Sequence, residues 1–144
     1  MTDTLNDRLR GWFCGNEAAC HFAEQLWTAL QEWDDLEDEG RCEDRNGLLS
    51  WLAFGKECHP FFAMHAHMLR PAFLSLYLKW TAANVLDRGS REDVEKAYML
   101  RADYYGMLHL IAWICGGDAH ARAVGPEIYR SYGETVDSLW KEFN

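Results

Sequence analysis

Glu32, Asp34, Asp35, Glu37, Asp38 and Glu39 place six carboxylates within eight residues. Asp34 and Asp38 stand i, i+4, with Glu37 beside them on the same helical turn. On a helix that spacing lets neighbouring oxygens reach one hard cation, and Mg²⁺ is the cation such ligands suit. The run also ends an amphipathic segment, where a helix carries roughly half a negative charge and normally attracts Lys or Arg. Only Arg41 lies close enough in sequence to compensate. Negative groups set against the helix dipole point to something positive that meets them there.

Arg101 is the second anomaly, because it falls within the apolar stripe Val94, Ala97, Tyr98, Tyr105, Leu108, Ala112 and Cys115. A guanidinium there requires a carboxylate, and Glu37, Asp34 or Asp38 could supply it. By the same helical-wheel reading Asn84 and Asp87 end a neighbouring stripe and His65 faces inward, so these three are candidates for the opposite wall of a polar pocket. The ligand of such a pocket would be Mg²⁺ with a phosphorylated small molecule. Two other readings of the acidic run stay open: a solvated helix end, and a patch on which the outer residues Glu32, Asp35 and Glu39 meet a basic protein surface. A structural ion pair that sets helix register is the plainer role for Arg101.

The elements that position these residues read as helices throughout. Pro60, Pro71 and Pro126 each sit near a helix start, and Gly residues separate apolar periodic runs. The pattern predicts a short helix over 5–13, then Asn16 capping a long helix that runs to Glu39 before Gly40. In it Phe22, Leu26, Ala29, Leu30, Trp33 and Leu36 recur at helical spacing, and Glu37 falls on the core side of the wheel. Asp44 caps a helix over 47–54; helices over 59–69 and 71–87 follow, joined or kinked at Pro71. Ser90 and Asp93 open a helix reaching Cys115 and stopping at Gly116-Gly117. A single turn over 119–124 precedes a last helix from Pro126, with Ile128, Tyr132, Val136, Leu139, Trp140 and Phe143 on one face. The expected architecture is an all-α, single-domain bundle of five or six main helices over residues 1–144.

Composition bounds the rest. The chain has 144 residues, a formal net charge of −9 and an apolar share of 49%, enough for one ordinary hydrophobic core. The acidic balance argues against direct nucleic-acid binding, which needs a Lys/Arg stripe. The run Met107 to Cys115 is far short of a membrane span, and no signal-peptide pattern opens the chain, so a cytoplasmic protein is expected. The five Cys include no CxxC pair, which argues against a disulfide framework and a zinc ribbon. His65 and His67, two apart on a helix, cannot share a metal without a local break. Trp27, Trp51, Trp80, Trp113 and Trp140 read as core. Self-association through an apolar helix face is compatible with the pattern.

Asp34-Asp35-Leu36-Glu37-Asp38 is similar to the DDxxD motif of class I isoprenoid synthases, all-α enzymes that hold Mg²⁺ and through it a diphosphate. For their second motif the chain offers only Asn84-Val85-Leu86-Asp87 and Asp103. More broadly, Trp33 to Asp38, His59-Pro60-Phe61-Phe62, Ala83 to Asp87, Leu100-Arg101, Gly116-Gly117 and Gly125-Pro126-Glu127-Ile128 resemble a family of small tailed-phage and prophage proteins. That resemblance implies an accessory protein made in a bacterial host cytoplasm, and no reaction. A non-enzymatic inhibitor of a host or defence protein, or a minor virion or assembly component, is the alternative to a Mg²⁺–phosphate pocket.

Overall fold

The computed structural model describes residues 4–40 and 42–143. Arg41 and the Phe143 side chain lie outside the described residues. The protein is all-α, with no strand among the described residues. Its elements are α1 (Leu5–Trp12), α2 (Glu17–Glu39), α3 (Arg45–Ala53), a 3-10 turn (Gly55–Cys58), α4 (Pro60–Met64), α5 (Ala66–Leu86), α6 (Arg91–Arg101), α7 (Asp103–Arg130) and α8 (Val136–Phe143). Two compact units divide the chain, Met1–Leu69 and Arg70–Asn144, with the boundary inside α5. Among the described residues no helix is long and apolar enough to cross a membrane.

In the first unit α2 packs against α1, α3 and α4. The expected caps hold it: the Asn16 side chain accepts from the Ala19 N–H at 3.0 Å, and Gly40 closes the helix in the left-handed region, at φ 69°. Phe22 is fully buried and meets the rings of Trp51, His59, Phe61 and Phe62. Leu9, Trp12, Phe13, Leu26, Leu30 and Leu48 are also buried. Asp44 caps α3 as expected, accepting from the Gly47 N–H at 2.9 Å.

Four features depart from the sequence pattern. The break after residue 59 comes at His65, between α4 and α5, while Pro71 lies inside α5. Pro71 cannot donate to the His67 carbonyl, yet one lost backbone bond early in a long helix does not end it. The segment from Ser90 to Cys115 is interrupted at Ala102, so Arg101 is the last residue of α6, not the middle of a longer helix. The stop at Gly117 is real in the backbone, at φ 86° and ψ −178°, but helix resumes at once and continues through Pro126 to Arg130. Beyond this turn Ala121 and Gly125 face His109, whose Nε2 lies 2.9 Å from the Ala121 carbonyl.

The expected last helix is likewise divided, since its periodicity continues across a non-helical stretch at 132–135. Thr135 and Ser138 exchange side-chain and backbone bonds at 3.0 Å and start α8 afresh. In the second unit α6 packs on α7 and α8, and Arg91 ties α8 down by its ion pair with Asp137 at 2.5 Å and by its guanidinium over Trp140. That pairing holds the Asp137 carboxyl below its ordinary range. Trp80 is buried, whereas Trp113, expected in the core, is 44% exposed.

Gly117 occupies backbone space that only glycine enters easily, with open space where a Cβ would sit. Gly117→Ala is therefore expected to destabilise the fold by about 1–3 kcal/mol through backbone strain alone. Gly11→Ala, at a helical position with equally open space, should change stability by less than about 1 kcal/mol. Urea unfolding of the two variants beside the parent chain checks the contrast.

Candidate functional site

The acidic run emerges from a helix that is buried only as far as Trp33. Asp34 and Leu36 are half-buried, and Asp35, Glu37, Asp38 and Glu39 are exposed. Glu37 thus does not turn into a core as its wheel position predicts, because burial along this face of α2 fades after Trp33. Among the described residues, no three His, Cys, Asp or Glu side chains are placed to hold a metal ion.

A concavity lies on the face of α2 away from Asp34, Glu37 and Asp38. Between α2 and the start of α3 lies an open cleft of about 420 Å³ lined by His21, Glu24, Gln25, Thr28, Glu32, Asp44 and Trp51, among others. No Lys or Arg is among its described lining residues. Residues 21, 25, 28 and 32 alternate steps of four and three, so they form one straight stripe along α2. Asp35 and Glu39 continue that stripe at the same spacing, and both are exposed. Cleft and acidic tail therefore share one face of one helix. The lining is partly preorganised: Asn6 Nδ2 donates to Glu24 Oε1 at 2.6 Å, and Asp44 is held by its capping bond to Gly47.

His21, at one end of the cleft, is joined to α4. Its Nδ1 lies 3.0 Å from Nε2 of His59, while His59 Nδ1 accepts from the Phe61 N–H at 3.1 Å and so caps α4. Burial, and then the neighbouring His21, push the His59 imidazole below its ordinary value. No local pattern announces this pair, since 38 residues separate its members. His65, expected to face a pocket, is half-buried at the C-terminal end of α4, with its ring 4.8 Å from that of Phe61.

In the second unit Arg101 has the buried carboxylate its sequence position requires. Arg101 Nη2 pairs with Asp87 Oδ2, donates to Asn84 Oδ1 at 2.8 Å, and its guanidinium lies 4.9 Å from the Trp80 ring centre. Trp80 and Asn84 near the C-terminal end of α5, and Asp87 just after it, stand i, i+4, i+7 and meet Arg101 of α6. Asn84 and Asp87, expected as walls of a ligand pocket, here hold a guanidinium; the other partners considered for it, Asp34, Glu37 and Asp38, belong to the first unit. Nearby in the same unit Tyr132 stacks between Tyr98 and Tyr105, and burial pushes its phenol well above the ordinary range.

Comparison with protein-family models, with curated proteins and with solved structures finds no match for this chain.

With Arg101 and Asp87 side chains only 10% and 2% exposed, removing one partner strands the other charge in a dry setting. Arg101→Leu is expected to destabilise the protein by about 3–5 kcal/mol. The double variant Arg101→Leu, Asp87→Leu should recover a substantial part of that loss, because it strands no charge. Chemical unfolding of the single and double variants measures both.

Proposed function

We propose that this protein is a non-catalytic binding protein that presents the carboxylate face of α2 to a basic surface of another protein. One observation carries the reading: Asp35 and Glu39 continue, in register beyond Glu32, the stripe that lines the cleft. A cationic side chain entering the cleft would meet Glu24, Glu32 and Asp44 with Trp51 beside them. An aromatic face next to carboxylates suits a guanidinium or ammonium group. The exposed end of the stripe would steer such a partner from a distance and fix its orientation. Nothing in this role requires turnover. The resemblance to phage proteins implies an accessory protein, and one that inhibits a host or defence component would use such a face.

The alternative is Mg²⁺ with a phosphorylated ligand at Asp34, Glu37 and Asp38, and its support is the DDxxD spacing alone. The two readings make opposite demands on the acidic segment. Binding of an Arg/Lys-rich decapeptide, measured by calorimetry, should weaken at least about tenfold in a Glu32→Gln, Asp35→Asn, Glu39→Gln variant and should fall with added salt. Equal affinity in that variant and in a Glu92→Gln, Glu95→Gln control defeats the proposal. A rise in melting temperature with Mg²⁺ and pyrophosphate that Asp34→Asn, Asp38→Asn abolishes would favour the phosphate reading instead.

A further inference from the structure

We propose that His21 and His59 form a proton-operated latch between α2 and α4, closed while both imidazoles are neutral and opened by a single added proton. The hydrogen-bond directions dictate this. The Phe61 N–H donates to His59 Nδ1, so that nitrogen carries no proton. A neutral His59 then has its proton on Nε2 and donates it across 3.0 Å to His21 Nδ1. His21 in turn must keep its own proton on Nε2. One donor follows another along the chain from the backbone of α4 to the side chain of α2.

A proton added to His21 enters at Nδ1 and sets two N–H donors against each other. Shifting the His59 proton to Nδ1 relieves that clash only by creating another with the Phe61 N–H, and it uncaps α4. A proton added directly to His59 meets the same backbone donor. No protonated state of the pair fits the observed geometry, so opening is the way a proton is accepted. His59 is only 9% exposed and touches the buried Phe22 ring, so it has little room to adjust. His21 is exposed, so it is the member that can leave.

The surrounding charges set the direction of opening. Glu24, Glu32 and Asp44 share the cleft with His21, Glu17 stands one turn earlier on α2, and Lys56 and Glu57 precede His59 in the 3-10 turn. Lys56 is committed elsewhere, donating to the Leu52 carbonyl at 2.7 Å and lying over the Phe62 ring. A released His21 imidazolium therefore finds carboxylates on the cleft side. The same wiring argues against a metal bridging the two rings. A ligating His59 Nε2 would need a proton on Nδ1, where the Phe61 N–H already points.

The sign of the pH dependence follows. An unfolded His takes up a proton near pH 6.5, whereas the closed latch does not, so below that value the unfolded chain binds more protons. The latch's contribution is full above about pH 6.5 and is lost as the pH falls through and below it. The lowered proton affinity of His59 agrees with that direction.

Long-range ¹H–¹⁵N spectra of the imidazoles in the full chain at pH 8 should show both rings with the proton on Nε2. A His59 ring protonated on Nδ1 overturns the proposal by itself. Urea unfolding supplies the second readout. Between pH 7.5 and 5.5 the unfolding equilibrium constant of the parent chain should rise at least about tenfold, and up to about a hundredfold if neither ring protonates before unfolding, more than that of His21→Gln, His59→Asn. The side-chain amide that this variant carries ahead of Pro60 keeps a capping acceptor for α4. Equal pH slopes in the two proteins would also overturn the latch, and if the variant does not fold, the tautomers in the native chain decide.

Discussion

A helix of 23 residues that must bury one face and hydrate the other is the constraint on which the first unit depends. The buried face of α2 gathers α1, α3 and α4 around Phe22, and the aromatic contacts there fix how α2 is rotated. That rotation leaves His21, Gln25, Thr28 and Glu32 facing outward along α3. The cleft is thus a consequence of packing on the opposite side. An apolar residue in place of Glu32 would leave the core unchanged and remove the charge that joins cleft to tail.

The protein treats its charges in two ways. Arg101 is taken out of water, where a carboxylate, an amide oxygen and an indole face replace its hydration and make burial tolerable. The carboxylates after Trp33 are mostly left in water, where the unfavourable helix dipole is screened and proximity costs little. Buried pairs set register, and hydrated like charges generate a field. The first arrangement holds helices together, and the second suits encounter with a partner of opposite sign.

Local chemistry was readable where it acts over one turn. Asn16, Asp44 and Ser90 cap helices because a short side-chain oxygen can reach an N–H two or three residues on, and Gly40 ends α2 because it enters the left-handed region cheaply. Periodicity alone was less dependable. It continues across Ala102 and across 132–135, since a stripe counts apolar positions and is blind to a backbone that turns between them. Pro71 misled in the opposite sense, for one missing donor early in a long helix is a small cost beside the burial of Phe73, Leu76 and Trp80. The need of Arg101 for a buried carboxylate was legible from the cost of an unpaired guanidinium, but which carboxylate it meets was not.

By itself the sequence determined the helical class, the caps at Asn16, Gly40, Asp44 and Ser90 but not those at Thr4, His59 and Thr135, and the presence of an acidic segment with no basic residue among its neighbours but Arg41, because these depend on residue type and short-range spacing. Tertiary structure alone decided that Glu37 is hydrated, that Asp87 and Asn84 hold Arg101, that Glu24, Glu32 and Asp44 share a cleft, and that His21 meets His59. Each of these depends on the rotation of one helix against another, which is set by the sum of many apolar contacts and leaves no signature at any single position.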